Sequence, residues 1–167
     1  DCSAPDWDCG QSTPVPMSYD YISSYGHHTC GVTEYQEMQC WGRNDQGQST
    51  VSFNFWSGVS AGLEHTCGLV DAGFAQCWGD DTYGQSTAPG SMFMWVDSGS
   101  YHNCGLKYDN TVECWGRNDQ GQIAAPSDSF VKISLGEHHS CGLKEDGSIQ
   151  CWGRNDEGQS TVPVGTY

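Results

Sequence analysis

Apolar residues fall along this chain in short alternating bursts separated by glycine- and proline-bearing turns, with no helical spacing. Phe130-Val131-Lys132-Ile133-Ser134-Leu135 alternates as a half-buried strand does. A second strand is predicted through His139-Ser140-Cys141-Gly142-Leu143-Lys144 and a third through Ser148-Ile149-Gln150-Cys151-Trp152. The same three-strand pattern occurs three more times upstream. Its anchor is the nine-residue stretch Cys151–Gln159, repeated at Cys40–Gln48, Cys77–Gln85 and Cys114–Gln122 with a spacing of 37 residues. Trp41, Trp78, Trp115 and Trp152 therefore form one ladder, and Gly47, Gly84, Gly121 and Gly158 form another. A strict period of this length marks one supersecondary unit repeated along an array or a ring.

The period sets the boundaries. Residues 1–13 are an N-terminal partial repeat or cap, because Gly10-Gln11-Ser12-Thr13 matches the tail of the motif but not its front. Four full units follow without insertion, 14–50, 51–87, 88–124 and 125–161, and residues 162–167 are a tail; 14–167 reads as one domain. Units this small cannot bury a core singly, so the core is expected between them.

Turn chemistry fixes the register of the second hairpin. If Glu145-Asp146-Gly147 is a three-residue loop, Lys144 faces Ser148 and Cys141 faces Cys151. The last loop position then needs a left-handed residue, and Gly73, Asn110 and Gly147 stand there. Gln36 holds that place in the first repeat, so its turn is expected to be less regular. The same register pairs Cys30 with Cys40, Cys67 with Cys77, Cys104 with Cys114 and Cys141 with Cys151, each closing a loop of about ten residues. Cys and Trp are neighbours on a strand and point to opposite faces, so both faces of each small sheet are predicted to be covered.

Ten cysteines at an even count and fixed spacing point to disulfides and an oxidising compartment, and no Cys-x-x-Cys pair favours zinc instead. Cys2 and Cys9 lie off the repeat positions; they bond each other, or bond another chain. A net charge of −15 with six basic residues leaves no patch for phosphates, so nucleic acid is excluded as a partner. No apolar run is long enough to insert into a membrane, and the chain reads as a mature secreted, extracellular protein starting at Asp1.

His-x-Cys-Gly-Leu, a turn, and then Cys-Trp-Gly-x-Asn-x-x-Gly-Gln resemble the regulator-of-chromosome-condensation type repeat over roughly residues 17–161. The likeness is to the secreted short-repeat branch, similar to the type II β-lactamase inhibitor protein and the crinkly-type receptor ectodomains. The resemblance implies an all-β, β-propeller-like array with one blade per repeat. Family members usually have more blades than four, so closure is not implied. The nuclear branch acts on a small GTPase, an activity that fits poorly with an acidic chain rich in cysteine. The inhibitory contacts of the β-lactamase relative find no matching residues.

Candidate chemistry is sparse. His28, His65, His102 and His139 share one repeat position. They either hydrogen-bond backbone beside each disulfide or, in a closed four-fold ring, converge on a metal. The acidic turns at Asp45, Asp80-Asp81, Asp119 and Asp156 are solvated turns, with calcium as the alternative. No catalytic triad, phosphate loop or metalloprotease helix occurs, so the chain is read as non-enzymatic with no cofactor. Trp56, Phe93, Tyr19 and Phe130 share a core position. Tyr83 in a turn, Trp7 and Trp95 vary between repeats and are the candidate binding residues.

Gly10 and Gly158 lie four whole periods apart and compete for one place in a four-bladed ring. An open array exposes apolar faces at its two ends. Three functions follow: a structural or adhesive scaffold that self-associates head-to-tail through the partial repeat, a module binding an extracellular protein in the manner of an inhibitor, or a glycan-binding lectin.

Overall fold

Residues 17–163 are described by the computed structural model, and their regular structure is twelve strands with no helix. Blade 1 holds β1 (Tyr19–Tyr25), β2 (His28–Thr33) and β3 (Met38–Gly42); blade 2 holds β4 (Trp56–Ala61), β5 (His65–Val70) and β6 (Ala75–Gly79). Blade 3 holds β7 (Phe93–Ser98), β8 (His102–Lys107) and β9 (Val112–Gly116); blade 4 holds β10 (Lys132–Leu135), β11 (His139–Leu143) and β12 (Ile149–Gly153). Each blade is one antiparallel sheet with its strands in chain order. Adjacent blades meet through their first and second strands.

The expected hairpin register is the observed one. Cys141 pairs with Cys151, and the corresponding cysteines pair in the other three blades, giving four disulfides with Cα–Cα distances of 4.0–4.1 Å. The bond predicted between Cys2 and Cys9 lies outside the described residues, as does the N-terminal partial repeat.

Blade 1 departs from expectation at its turn. Gln36 takes φ 61°, close to the 67° of Asn110, and the turn closes with the same pair of main-chain bonds, Thr33 N–H to Glu37 O and Gln36 N–H to Thr33 O, both 2.9 Å. The loop is as regular as those with glycine or asparagine. The paired strands and the disulfide dictate the register, and Thr33 Oγ1 accepts from the amides of Tyr35 and Glu37 at 3.3 Å, so the loop tolerates an unfavourable residue.

The two faces of a blade differ in chemistry. On one face the first-strand aromatic rests on the third-strand tryptophan: Trp56 on Trp78 at 5.5 Å between centroids, Phe93 on Trp115 at 5.7 Å, Phe130 on Trp152 at 5.9 Å. The glycine of Cys-Gly-Leu makes room for that ring, since a Cβ on Gly105 would lie 2.2 Å from Phe93 Cδ1. On the opposite face lies the disulfide.

Stacking then joins unlike faces. Cys30, Val32 and Met38 of blade 1 pack on Trp56 and Val59 of blade 2. Cys67 and Leu69 pack on Phe93, Val96 and Trp115; Cys104 and Leu106 pack on Phe130, Ile133 and Trp152. The core is thus three apolar layers, one at each joint, and Cys30, Cys67 and Cys104 are wholly buried.

Candidate functional site

Each joint is locked by one polar relay built from repeat positions. Thr66 Oγ1 donates to the main-chain oxygen of Gln48 at 2.8 Å, and Trp78 Nε1 donates to the same oxygen at 2.9 Å. At the next joint Asn103 Nδ2 and Trp115 Nε1 converge on Gln85 O at 2.8 and 3.1 Å. At the third, Ser140 Oγ and Trp152 Nε1 converge on Gln122 O at 3.0 and 2.9 Å. The glutamine side chains are themselves buried and brace their own turns: Gln85 Oε1 accepts from Tyr83 N at 2.7 Å and its Nε2 donates to Asp80. The Gly-Gln tail of the motif is therefore the socket for the following blade. Sequence reading treated it as a turn; its signal was the invariance of glutamine through all four copies.

The histidines complete the relay. His28 Nε2 meets Thr66 Oγ1 at 2.8 Å, His65 Nε2 meets Asn103 Oδ1 at 2.8 Å, and His102 Nε2 meets Ser140 Oγ at 2.9 Å. Since the hydroxyls and the amide spend their protons on glutamine carbonyls, each imidazole donates from Nε2 and is neutral. One expectation changes here. For His28, His65 and His102 the partner is a side chain of the next blade rather than backbone beside the disulfide. Among the described residues no group of three or more His, Cys, Asp or Glu side chains is arranged to hold a metal. Burial, followed by the neighbouring imidazoles, lowers His28 to about 4 and His102 to about 3, and burial lowers His65 and His139 as well.

The inner strands are laced by a second row. Ala61 N donates to Ser23 Oγ at 2.9 Å, and Ser60 Oγ donates to Asp97 Oδ1 at 3.1 Å. Leu135 N donates to Asp97 Oδ2 at 2.8 Å. Burial pushes the Asp97 carboxyl up despite these donors.

Tyr83, a predicted binding residue, is 46% exposed and packs edge-to-face on Tyr101 at 5.5 Å, with the Arg117 guanidinium 5.0 Å from its centroid. Arg117 in turn pairs with Asp119. At the blade 1–2 joint the corresponding surface is the ion pair Arg43–Glu64 at 2.8 Å. Trp95 is 40% exposed on β7, beside a bulge, and is not brought near Tyr83 by any described contact. Trp7 lies outside the described residues.

Among the described residues, the disulfide face of blade 4 is less covered than that of the other blades. Cys141, Cys151 and Leu143 are only partly buried and Ile149 is 49% exposed, on the surface that is wholly covered at Cys30, Cys67 and Cys104.

A cleft of about 270 Å³ opens at the blade 1–2 joint between Glu37–Gln39 and Val51–Asn54, with Trp56 in its lining. Phe53 beside it is 91% exposed.

The family model described as Regulator of chromosome condensation (RCC1) repeat matches residues 20–48, 56–85, 96–122 and 130–159. The ectodomain of the Physcomitrella patens receptor kinase CR4 is 30% identical with a TM-score of 0.73; the match covers 89% of this chain and 44% of that one. The CRINKLY WD40 ectodomain of the Arabidopsis thaliana receptor kinase ACR4 is 25% identical with a TM-score of 0.71, covering 79% of this chain and 49% of that one. Yeast RCC1 (Prp20), solved with Kap60, shares the fold at 15% identity and a TM-score of 0.72. The chain thus spans less than half the length of these structures. No curated protein sequence matches it.

Proposed function

Because the chain belongs to the regulator of chromosome condensation (RCC1) repeat family, we propose that it is an extracellular, non-enzymatic protein-binding array that self-associates head-to-tail through the disulfide face of blade 4. Four disulfides in the described residues and similarity to two receptor ectodomains support the extracellular setting. Yeast RCC1 (Prp20), solved bound to Kap60, lends support to protein binding as the class.

The observation that carries the reading is the half-open face of Cys141–Cys151, Leu143 and Ile149. The same surface in blades 1–3 takes an aromatic pair from the next blade. A blade bearing such a pair is therefore its fitting occupant, as the Trp56–Trp78 pair is for the disulfide face of blade 1. In this reading a second copy supplies it. A head-to-tail contact extends into a filament unless its rotation closes. A glycan-binding reading has less support, because one neighbour of the Tyr83 ring is already the Arg117 guanidinium.

Light scattering with negative-stain imaging over a concentration series tests this. Assemblies that grow with concentration and are lost in Ile149→Asp are expected. A monodisperse 18.2 kDa particle at every concentration overturns it.

A further inference from the structure

We propose that the cleft between Glu37–Gln39 and Val51–Asn54 is a docking site for a cationic partner protein, taking one apolar side chain of it and receiving a main-chain carbonyl on the Trp56 indole N–H. This site stands apart from the blade 4 association and does not depend on it.

The first observation is an unmet hydrogen bond. Trp56 is 1% exposed and its Nε1 is buried without an acceptor, whereas Trp78, Trp115 and Trp152 each donate to a glutamine carbonyl. A buried donor left unpaired is unfavourable, and an incoming carbonyl relieves it. A Cβ on Gly68 would lie 2.6 Å from Trp56 Cε3 and Cζ3, so the benzenoid ring rests on the sheet, and the residue also lines the cleft.

The second observation is that the other joints lack this arrangement. Phe93 and Phe130 stand where Trp56 does and carry no N–H. At the blade 2–3 joint Phe74, the counterpart of Glu37, forms a bridge with Met92 across the corresponding gap. At the blade 1–2 and 3–4 joints no such bridge forms among the described residues, yet Trp56 N and Phe130 N still donate to Gln36 O and Asn110 O at 2.9 and 2.8 Å, so it is the Trp56 indole N–H that sets the first joint apart.

The rim adds apolar contact area. Phe53 and Phe55 are 91% and 58% exposed and meet each other edge-on at 6.3 Å. Large exposed aromatics grouped at a cleft are the usual anchors of a protein contact.

Charge selects the partner. Among the described residues Glu37, which lines the cleft, forms no ion pair, while Arg43, Lys107, Arg117, Lys144 and Arg154 are all engaged with carboxylates elsewhere. Glu37 is thus an uncompensated negative charge at the cleft. A basic polypeptide is attracted.

The test uses the full chain with ¹⁵N-labelled tryptophan. The Trp56 indole cross-peak is identified by its loss in Trp56→Phe, a variant that copies the residue of blades 3 and 4. The probes are the capped tripeptides acetyl-Lys-Phe-Lys-amide and acetyl-Glu-Phe-Glu-amide. The proposal expects a saturable shift of the Trp56 peak with the basic peptide, no saturable shift with the acidic one, and still peaks for Trp78, Trp115 and Trp152. In Glu37→Lys, affinity for the basic peptide is expected to fall about fivefold, as loss of one rim charge implies. An unmoved Trp56 peak with both peptides, meaning that water alone occupies the cleft, overturns the proposal. Equal shifts with both peptides, or a shift produced by dilution of the protein alone, overturn the cationic partner. None of these outcomes bears on Ile149→Asp.

Discussion

Trp152 Nε1 donates to the main-chain oxygen of Gln122, thirty positions earlier and one blade back, at 2.9 Å. The bond is the third copy of one joint, and every copy runs from the later blade to the earlier one.

Loss of one such joint is measurable. Trp115→Phe keeps the ring against Phe93 but removes the donor to Gln85 O. A loss of about 1 kcal/mol is expected from the one hydrogen bond, since Asn103 Nδ2 still donates to the Gln85 carbonyl. Urea denaturation against the parent chain checks it.

The socket glutamines divide by position. Gln85→Ala strands the amide of Tyr83 and is expected to cost about 1–3 kcal/mol, because Gln85 is fully buried. Gln159→Ala removes the same kind of bond, to Glu157 N, from a partly exposed residue that no later blade covers, and is expected to lie within about 0.5 kcal/mol of the parent. Equal effects would show that the buried joint is not what the glutamine supports.

Acid is expected to weaken the array before the carboxylates titrate. The folded state holds His28 at about 4 and His102 at about 3, against 6.5 unfolded, so the unfolded chain takes up protons first as pH falls. Stability is therefore full above about pH 6.5 and declines toward pH 4, by roughly 3 kcal/mol for His28 alone. Asp97, raised by burial, acts in the opposite sense, losing its contribution as pH rises. Urea midpoints at pH 7.5 and 4.5 measure the slope, and His102→Asn is expected to flatten it.

Among the four blade disulfides, Cys141–Cys151 is expected to open first under dithiothreitol. Thiolate attack needs access, and the first cysteine of each of the other three bridges is wholly buried beneath the next blade. Timed alkylation and peptide mass mapping give the order; simultaneous opening would contradict the covering role of the aromatic pairs.

Gln36→Gly is expected to stabilise blade 1 by about 0.5–1 kcal/mol. It relieves a left-handed non-glycine residue at φ 61° and gives back part of that gain as unfolded-state entropy. A shift of the urea midpoint to higher concentration checks it.

The period, the pairing of the four blade disulfides and the hairpin register were legible in the chain, because each rests on local geometry: ten residues separate the cysteines, and a three-residue turn lets only one register bring them opposite. The joints were not. Which atom accepts the Trp152 indole depends on how one sheet lies on the next, and the accepting atom is a main-chain oxygen, invisible in residue type. The histidine partners hid behind three different residues, Thr66, Asn103 and Ser140, which share only the capacity to accept and donate at once. Trp56 was rightly placed in the core with Phe93 and Phe130, yet its N–H sets it apart from them, and only the packing shows that nothing receives it.

The one-way joint also bears on the birth of the protein. When blade 2 leaves the ribosome its strands and disulfide can form, but Gln85 O and the apolar face over Cys67 stay open until Trp115 and Phe93 arrive. Each blade is thus finished by its successor. A chain cut after blade 2 or blade 3 therefore leaves its last disulfide face uncovered, whichever blade folds first.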